Sequence, residues 1–341
     1  MRRTTTAAIV AALGITLTTV LAAPAGAAVP SSAPTCSGTL TPADLATGCV
    51  VDSGRLVLPD GRTFAVPAAG TSVAALPVAV AGVPDDGDVV VTNTGAAGVA
   101  VRVDDTWAGS PAAVTRERAA EQRRTLSPEV RGRVGTGAAT TAANTTAATT
   151  AAATSSCTDG SYSLAGHRWK TTVGWRYNKA NEKTLGRRLV TDGANAWTGT
   201  ITACGKTVTS RAAATYLGAS SRQSAVRTDG GCGSPDKTNV VGWSRLPAGV
   251  LGVTCVFYGS GGIATETDQR YSTGHEWSTT TVCRAGRFDM RGVATHEWGH
   301  AYGLGHTSAS SKLVMKPSAT TCDTAQRTLG SGDVRGIDAL Y

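Results

Sequence analysis

Histidine is scarce in this chain: five among 341 residues, alongside three phenylalanines and three methionines. So few imidazoles make a spaced group of them informative. Charged residues account for only 16 %, and the 32 basic and 24 acidic residues are scattered rather than clustered. No RNA- or DNA-binding motif accompanies the net charge of +8, so nucleic acid is not an expected partner. Residues 1–156 hold 11 basic and 11 acidic residues, so the whole excess lies in 157–341, where it reads as a basic, soluble exterior. Past the N-terminus there is no long uninterrupted apolar run. The nearest, Val66 to Val83, contains Pro67 and Pro77 and reads as strands and turns, not as a membrane span.

What is present divides the chain into four parts. Residues 1–28 have the pattern of a secretory signal peptide: Arg2 and Arg3, an apolar stretch from Ala7 to Ala23, and the small residues Ala25, Gly26 and Ala27 at the cleavage site. The expected location is extracellular, with no membrane association once the signal is removed. Eight cysteines, an even count in an exported chain, favour disulfides. Cys36 and Cys49 are expected to pair; the other six leave their connectivity open. Residues 29–134 are expected to form a small β-rich unit, with strands around Arg55–Leu58, Val89–Thr92 and Val99–Val103 and a polar helix beginning at Ser110-Pro111. Residues 135–156, almost entirely Ala, Thr and Gly, read as a linker, with a short glycosylation signal at Asn144-Thr145-Thr146. Residues 157–341 are long enough to bury a sizeable core. There, strands are expected near Trp169–Tyr177, Thr207–Thr209, Asn239–Trp243, Gly252–Tyr258 and Thr265–Tyr271. Helices are expected over Lys183–Trp197, from Asp289 as N-cap, and from Ser331 or Gly332 with Val334, Ile337 and Leu340 as its apolar stripe.

The chemistry concentrates between Phe288 and Pro317. His296, Glu297, His300, Gly303 and His306 fit the pattern H-E-x-x-H-x-x-G-x-x-H. Residues four apart share a helix face, so His296 and His300 can aim two imidazoles at one point. Gly303 can take a left-handed conformation and end the helix, which brings His306 back as a third ligand. Three neutral nitrogens leave one tetrahedral position open on a zinc ion, the arrangement of a catalytic site. With these residue frequencies the pattern would arise by chance somewhere in the chain with probability on the order of 10⁻⁶ to 10⁻⁵.

These residues resemble the metzincin zinc endopeptidases, whose long zinc motif is followed by a methionine-containing turn. Met315, within Leu313–Ser318, stands where that turn is expected. Three details are similar to matrixins within that clan: His306 as the third ligand, Thr307 after it, and Pro317 two residues past Met315. The ending from Leu329 to Tyr341 looks like the closing helix of matrixin domains. The resemblance, which covers 157–341, implies an α+β fold in which a twisted, mostly parallel sheet carries the active-site helix, Met-turn and C-terminal helix; the small β-rich N-terminal unit before it lies outside the resemblance and is expected to be a propeptide removed near Arg123-Arg124 or Arg131–Arg133. The resemblance also implies hydrolysis of protein or peptide substrates by a zinc-bound water, with Glu297 as general base and then acid. It places the peptide-binding sheet edge at Thr265–Tyr271 and the pocket wall after Met315. The expected state is a monomer.

The chain also departs from matrixins. Only His167 and His275 remain outside the motif, so a second, histidine-built zinc site is not expected; His275 reads as a surface residue. Cys232–Asp236 matches the matrixin latency motif in part, but a mature domain starting after it would be too short, so Cys232 is expected in a disulfide-bonded loop. Ca2+ is a further candidate cofactor, because the Asp229–Asp236 loop is rich in oxygen ligands, although its spacing fits no motif. Two competing functions are a zinc amidase acting on cell-wall peptides and a catalytically inactive secreted binding protein.

Overall fold

The computed structural model describes residues 34–84, 87–126, 155–183 and 186–341. The signal-like residues 1–28, the glycosylation signal, the basic stretch at Arg131–Arg133, nearly all of the linker, and Leu185 lie outside the described residues. Residues 33–341 form one compact unit.

Its centre is a ten-stranded sheet. In chain order the strands are β1 (Thr71–Val80), β2 (Val89–Asn93), β3 (Val99–Val103), β4 (Thr106–Gly109), β5 (Val173–Tyr177), β6 (Ala214–Ala219), β7 (Asn239–Ser244), β8 (Val250–Gly259), β9 (Ala264–Ser272) and β10 (Ser318–Ala319). Across the sheet they run β6-β5-β7-β9-β8-β1-β2-β3-β4, with β10 beside β1. Strands β6, β5, β7 and β9 are mutually parallel. From β9 through β8 and on to β4 every pairing is antiparallel. The β-rich N-terminal strands therefore continue the same sheet. The placement of the sheet edge at Thr265–Tyr271 needs correction: β9 is bonded on both sides, by β7 and β8, so it has no free edge. On that side β8 is the last strand of the region after residue 155 before β1 intervenes, with β10 beyond it.

Strand β1 shows why its sequence does not alternate. Ala74, Leu76 and Val78 enter one apolar cluster, and Val73 and Ala75 enter another, so both faces are covered and both want apolar side chains. The first cluster surrounds the helix α3 (Met290–Tyr302); the second lies between the N-terminal segments and the far face of β8, with Val253, Cys255 and Phe257 meeting Leu56, Phe64, Val73 and Val91.

The remaining long helices are α1 (Pro111–Thr125), α2 (Gly186–Asn195) and α4 (Ser331–Leu340). Pro111 opens α1 because its missing N–H falls where a helix has no partner for one. Helix α2 lies against α3, and Trp197 just beyond it donates its indole N–H to the Thr295 carbonyl at 2.8 Å. Trp175 on β5 meets Trp298 of α3 edge-on, with ring centroids 5.6 Å apart. On α4, Val334, Ile337 and Leu340 are buried in the same cluster as α3. Four disulfides close the chain: Cys36–Cys49, Cys157–Cys204, Cys232–Cys255 and Cys283–Cys322. The early pair is thus as expected, and Cys232 is tied into its loop.

Candidate metal centre

Helix α3 is positioned from both ends. Asp289 caps its start, accepting from the Gly292 N–H at 2.7 Å. Such a cap is worth about 1 kcal/mol. Gly303 ends it at φ +115°, a left-handed conformation, and its Cα lies so close to the His167 carbonyl that a side chain there would collide. The chain turns there and runs back, which brings His306 over the helix.

The three imidazoles converge. Their Nε2 atoms are 2.9 Å apart for His296 and His300, and 3.1 Å for each of the other two pairs. The opposite ring nitrogens all face oxygen. His296 Nδ1 lies 2.7 Å from the Val314 carbonyl, His300 Nδ1 2.9 Å from the Leu304 carbonyl, and His306 Nδ1 3.0 Å from Asp88 Oδ1. A carbonyl only accepts, so in His296 and His300 the proton sits on Nδ1 and Nε2 presents a bare lone pair. Lone pairs facing each other near 3 Å repel unless a cation lies between them, so the donor set fits a metal ion. Among the described residues this is the one group of three His, Cys, Asp or Glu ligand atoms close enough to hold one. Burial favours the neutral rings: it lowers the pKa of His296 to about 3, aided by repulsion from His306, and takes His300 well below its ordinary value.

Glu297 is fully buried beside them. Its Oε2 accepts from Thr254 on β8 at 2.5 Å, while Oε1 has no hydrogen-bond partner. Burial pushes its carboxyl well above the usual carboxylate range, against the Thr254 hydrogen bond, with Asp88 adding to the rise. A side chain at Gly252 would meet Oε1 at 2.5 Å, so β8 passes close to that oxygen only because residue 252 is glycine.

Met315 is buried with its sulfur close against Gly299 of α3, and its carbonyl accepts from the Thr307 N–H at 2.8 Å, which ties the segment after His306 to the 313–316 loop. That loop hangs from Asp333 of α4, whose carboxylate accepts the N–H groups of Val314 and Met315 at 3.0 and 3.3 Å and of Gly330 at 2.8 Å. The Val314 carbonyl also accepts from Gln326 at 2.9 Å.

The structure brings every motif residue together. It leaves His275 away from the cluster, against Phe288 at 5.3 Å between ring centroids. His167 is buried, with Nε2 2.9 Å from the His300 carbonyl and its ring stacked on Tyr258. In the Asp229–Asp236 loop the carboxylates take protein donors: Asp229 accepts from Thr63 and the Gly231 N–H, and Asp236 pairs with Arg222 at 2.6 Å. Four residues had no signal in the sequence reading. Thr254, Asp88, Asp333 and Gln326 reach the site from other elements, and only their meeting in space marks them.

Three histidines aimed at one point beside a buried carboxylate make a group that could hold a metal ion next to an acid–base side chain. Residues 247–341 match the family model for matrixin, and over that segment the chain is a matrixin-like metzincin, which marks it as a metallopeptidase type. No curated protein matches the chain.

Proposed function

We propose that this protein is a secreted zinc endopeptidase that cuts peptide bonds with Glu297 as general base and acid. The observation that carries the reading is the convergence of three Nε2 atoms whose rings are each oriented from behind, with Glu297 Oε1 unpartnered alongside. His296, His300 and His306 would hold the zinc, and Met315 forms the turn beneath it. Zinc there supplies a Lewis acid that lowers the pKa of water towards neutrality and polarises the scissile carbonyl. Glu297 takes the proton of the attacking water and delivers it to the leaving amine nitrogen. A carboxylate with raised pKa, held in place by Thr254, suits both halves of that transfer.

Four disulfides are the kind of cross-linking that persists in oxidising surroundings, which supports export. No helix among the described residues is long and apolar enough to cross a membrane. In this reading residues 1–28 direct secretion, 29–134 are a propeptide, 135–156 a linker and 157–341 the catalytic domain, acting as a monomer on protein or peptide. The test is digestion of casein and of peptidoglycan by the purified protein, with and without a chelator, followed by mapping of the cut sites. Chelator-sensitive cleavage of casein is expected; cleavage of peptidoglycan alone would replace this reading by that of a cell-wall amidase. N-terminal sequencing of the secreted protein is expected to find a start well beyond Ala28.

A further inference from the structure

The sheet edge formed by β6 carries a groove that the metal centre does not use. Strand β6 lies four strand spacings from β8, roughly 19 Å away. A cavity of about 480 Å³ opens where β5 and β6 end beside α2. Tyr177 and Tyr216 give it aromatic walls, and Lys179, Arg187 and Arg188 stand around it. Arg188, Leu189 and Thr279 line both this cavity and a smaller notch next to it, where Arg291 in the first turn of α3 stands beside Thr280 and Thr281. Every lining residue follows residue 176, so the groove belongs wholly to the later part of the chain.

The rings are held and the cations are free. The Tyr177 hydroxyl accepts from the Trp243 indole at 2.6 Å and donates to Glu182 at 2.8 Å. Tyr216 leans on the buried Trp175, with ring centroids 5.1 Å apart. The Arg187 guanidinium lies over the Tyr216 ring, 5.1 Å from its centroid, which orients the fork of N–H groups. Among the described residues, Lys179, Arg187, Arg188 and Arg291 form no ion pair, and the buried Nε of Arg291 has no acceptor. Two carboxylates, Glu182 and Asp192, also line the groove. Glu182 is turned to the protein, where its Oε1 accepts from Tyr177 and from the Gly186 N–H at 2.6 Å.

Four unpaired cations attract anions, and guanidinium forks match carboxylate and sulfate oxygens in pairs. Two fixed rings in a concave wall suit a ligand that itself contains rings. A peptide adding a strand to β6 fits less well. The β5–β6 register shifts between Trp175 and Tyr177, and Gly218 stands at φ +109°, so the edge is not a regular ladder. We propose that the groove from β6 to the first turn of α3 binds an acidic glycan. Its sugar rings lie on Tyr177 and Tyr216, and its carboxylate or sulfate groups meet Arg187, Arg188 and Arg291. Such a contact anchors the protein to a polyanionic matrix and leaves the three histidines free.

The test titrates the full chain, by calorimetry, with an oligogalacturonate, a sulfated oligosaccharide, a neutral dextran oligomer and poly-glutamate. At least one acidic glycan is expected to bind, more weakly as salt is raised, and dextran is not; the tighter of the two acidic glycans tells carboxylate from sulfate. Arg187→Ala/Arg188→Ala, at two exposed positions, should weaken that binding about tenfold or more, with zinc content and circular dichroism unchanged. Lys170→Ala/Lys206→Ala removes the same charge from exposed positions outside the groove and should cost less than about twofold. Absence of binding to either acidic glycan, or an equal loss in the two double variants, would overturn the proposal. Poly-glutamate bound as tightly as the glycans, and released by the same arginine variant, would replace it by an acidic peptide partner. None of these measurements reads hydrolysis, so their outcome is independent of the endopeptidase reading.

Discussion

The regions before residue 126 and after residue 155 are built differently although they share one sheet. The later region holds six of the seven tryptophans, all five histidines and three of the four disulfides. Its centre is a largely buried helix, α3, with Trp175 packed on its Trp298 and Trp197 bonded to its Thr295 carbonyl. The earlier region has no histidine, one disulfide, and a core of Val, Leu and Phe64 around short strands. It reaches the metal centre through β1 and through Asp88. Rigid aromatic packing and cross-links surround the three rings, whereas the earlier region joins the later one along strand β1 and without a disulfide between them.

Four experiments would break or sharpen that contrast, taken from the largest expected effect down. Glu297→Gln should lower kcat on a peptide substrate by about 10²–10⁴-fold while elemental analysis still finds one zinc, since the loss is of proton transfer and not of a ligand. A variant with full activity would remove Glu297 from the reaction. The next concerns Asp333, whose carboxyl burial raises to about 6 despite three backbone N–H donors. The folded state binds that proton more tightly than the unfolded chain, so this contribution to stability is full below pH ~4 and is lost as pH rises through about 6. The loss amounts to about 3 kcal/mol. Denaturant titrations should show the parent's advantage over Asp333→Asn shrinking between pH 4 and pH 7; an advantage that grows would reverse the assignment.

Asp88→Asn tests whether the earlier region acts on the metal. The carboxylate lies behind His306, and burial, which would raise its pKa, is outweighed by attraction to His306, leaving it lowered. Loss of a carboxylate behind a metal-binding histidine typically weakens metal affinity by about 10–100-fold. Competition with a chromogenic chelator should show that drop in the intact chain. If the 155–341 fragment binds zinc as tightly as the intact parent, Asp88 contributes nothing. The smallest effect is expected from Thr254→Val, which removes one hydrogen bond to Glu297 worth about 1 kcal/mol. Steady-state kinetics should show a loss of up to about tenfold in kcat with KM little changed.

Local signals in the sequence carried far. Asp289 as cap, Gly303 as stop and the stripe of Val334, Ile337 and Leu340 depend on neighbours within one or two turns, and the structure has all of them. Helix α2 ends at Asn195, short of the expected Trp197, and the strand expected over Trp169–Tyr177 spans only Val173–Tyr177. Trp169 instead donates its indole N–H to the Ala301 carbonyl, a bond no local pattern announces. Strand order was beyond reach for the same reason. β8 is an apolar run and β9 a polar one, yet which of them faces outward is set by pairing with residues far away in the chain. Val66 to Val83 reads as strands and turns in the sequence, and within it Thr71–Val80 forms one ten-residue strand, Pro77 included.

One oxygen carries more than its share. The Val314 carbonyl accepts from His296 and from Gln326 together, and the amide of the same residue hangs from Asp333. A metal-facing ring, a short 3-10 turn and the closing helix therefore meet on a single residue. On the endopeptidase reading, mutations past residue 316 have room to vary cleavage preference, whereas any shift transmitted back to residue 314 would tilt an imidazole. The design space for altering specificity in this protein begins on the far side of Met315.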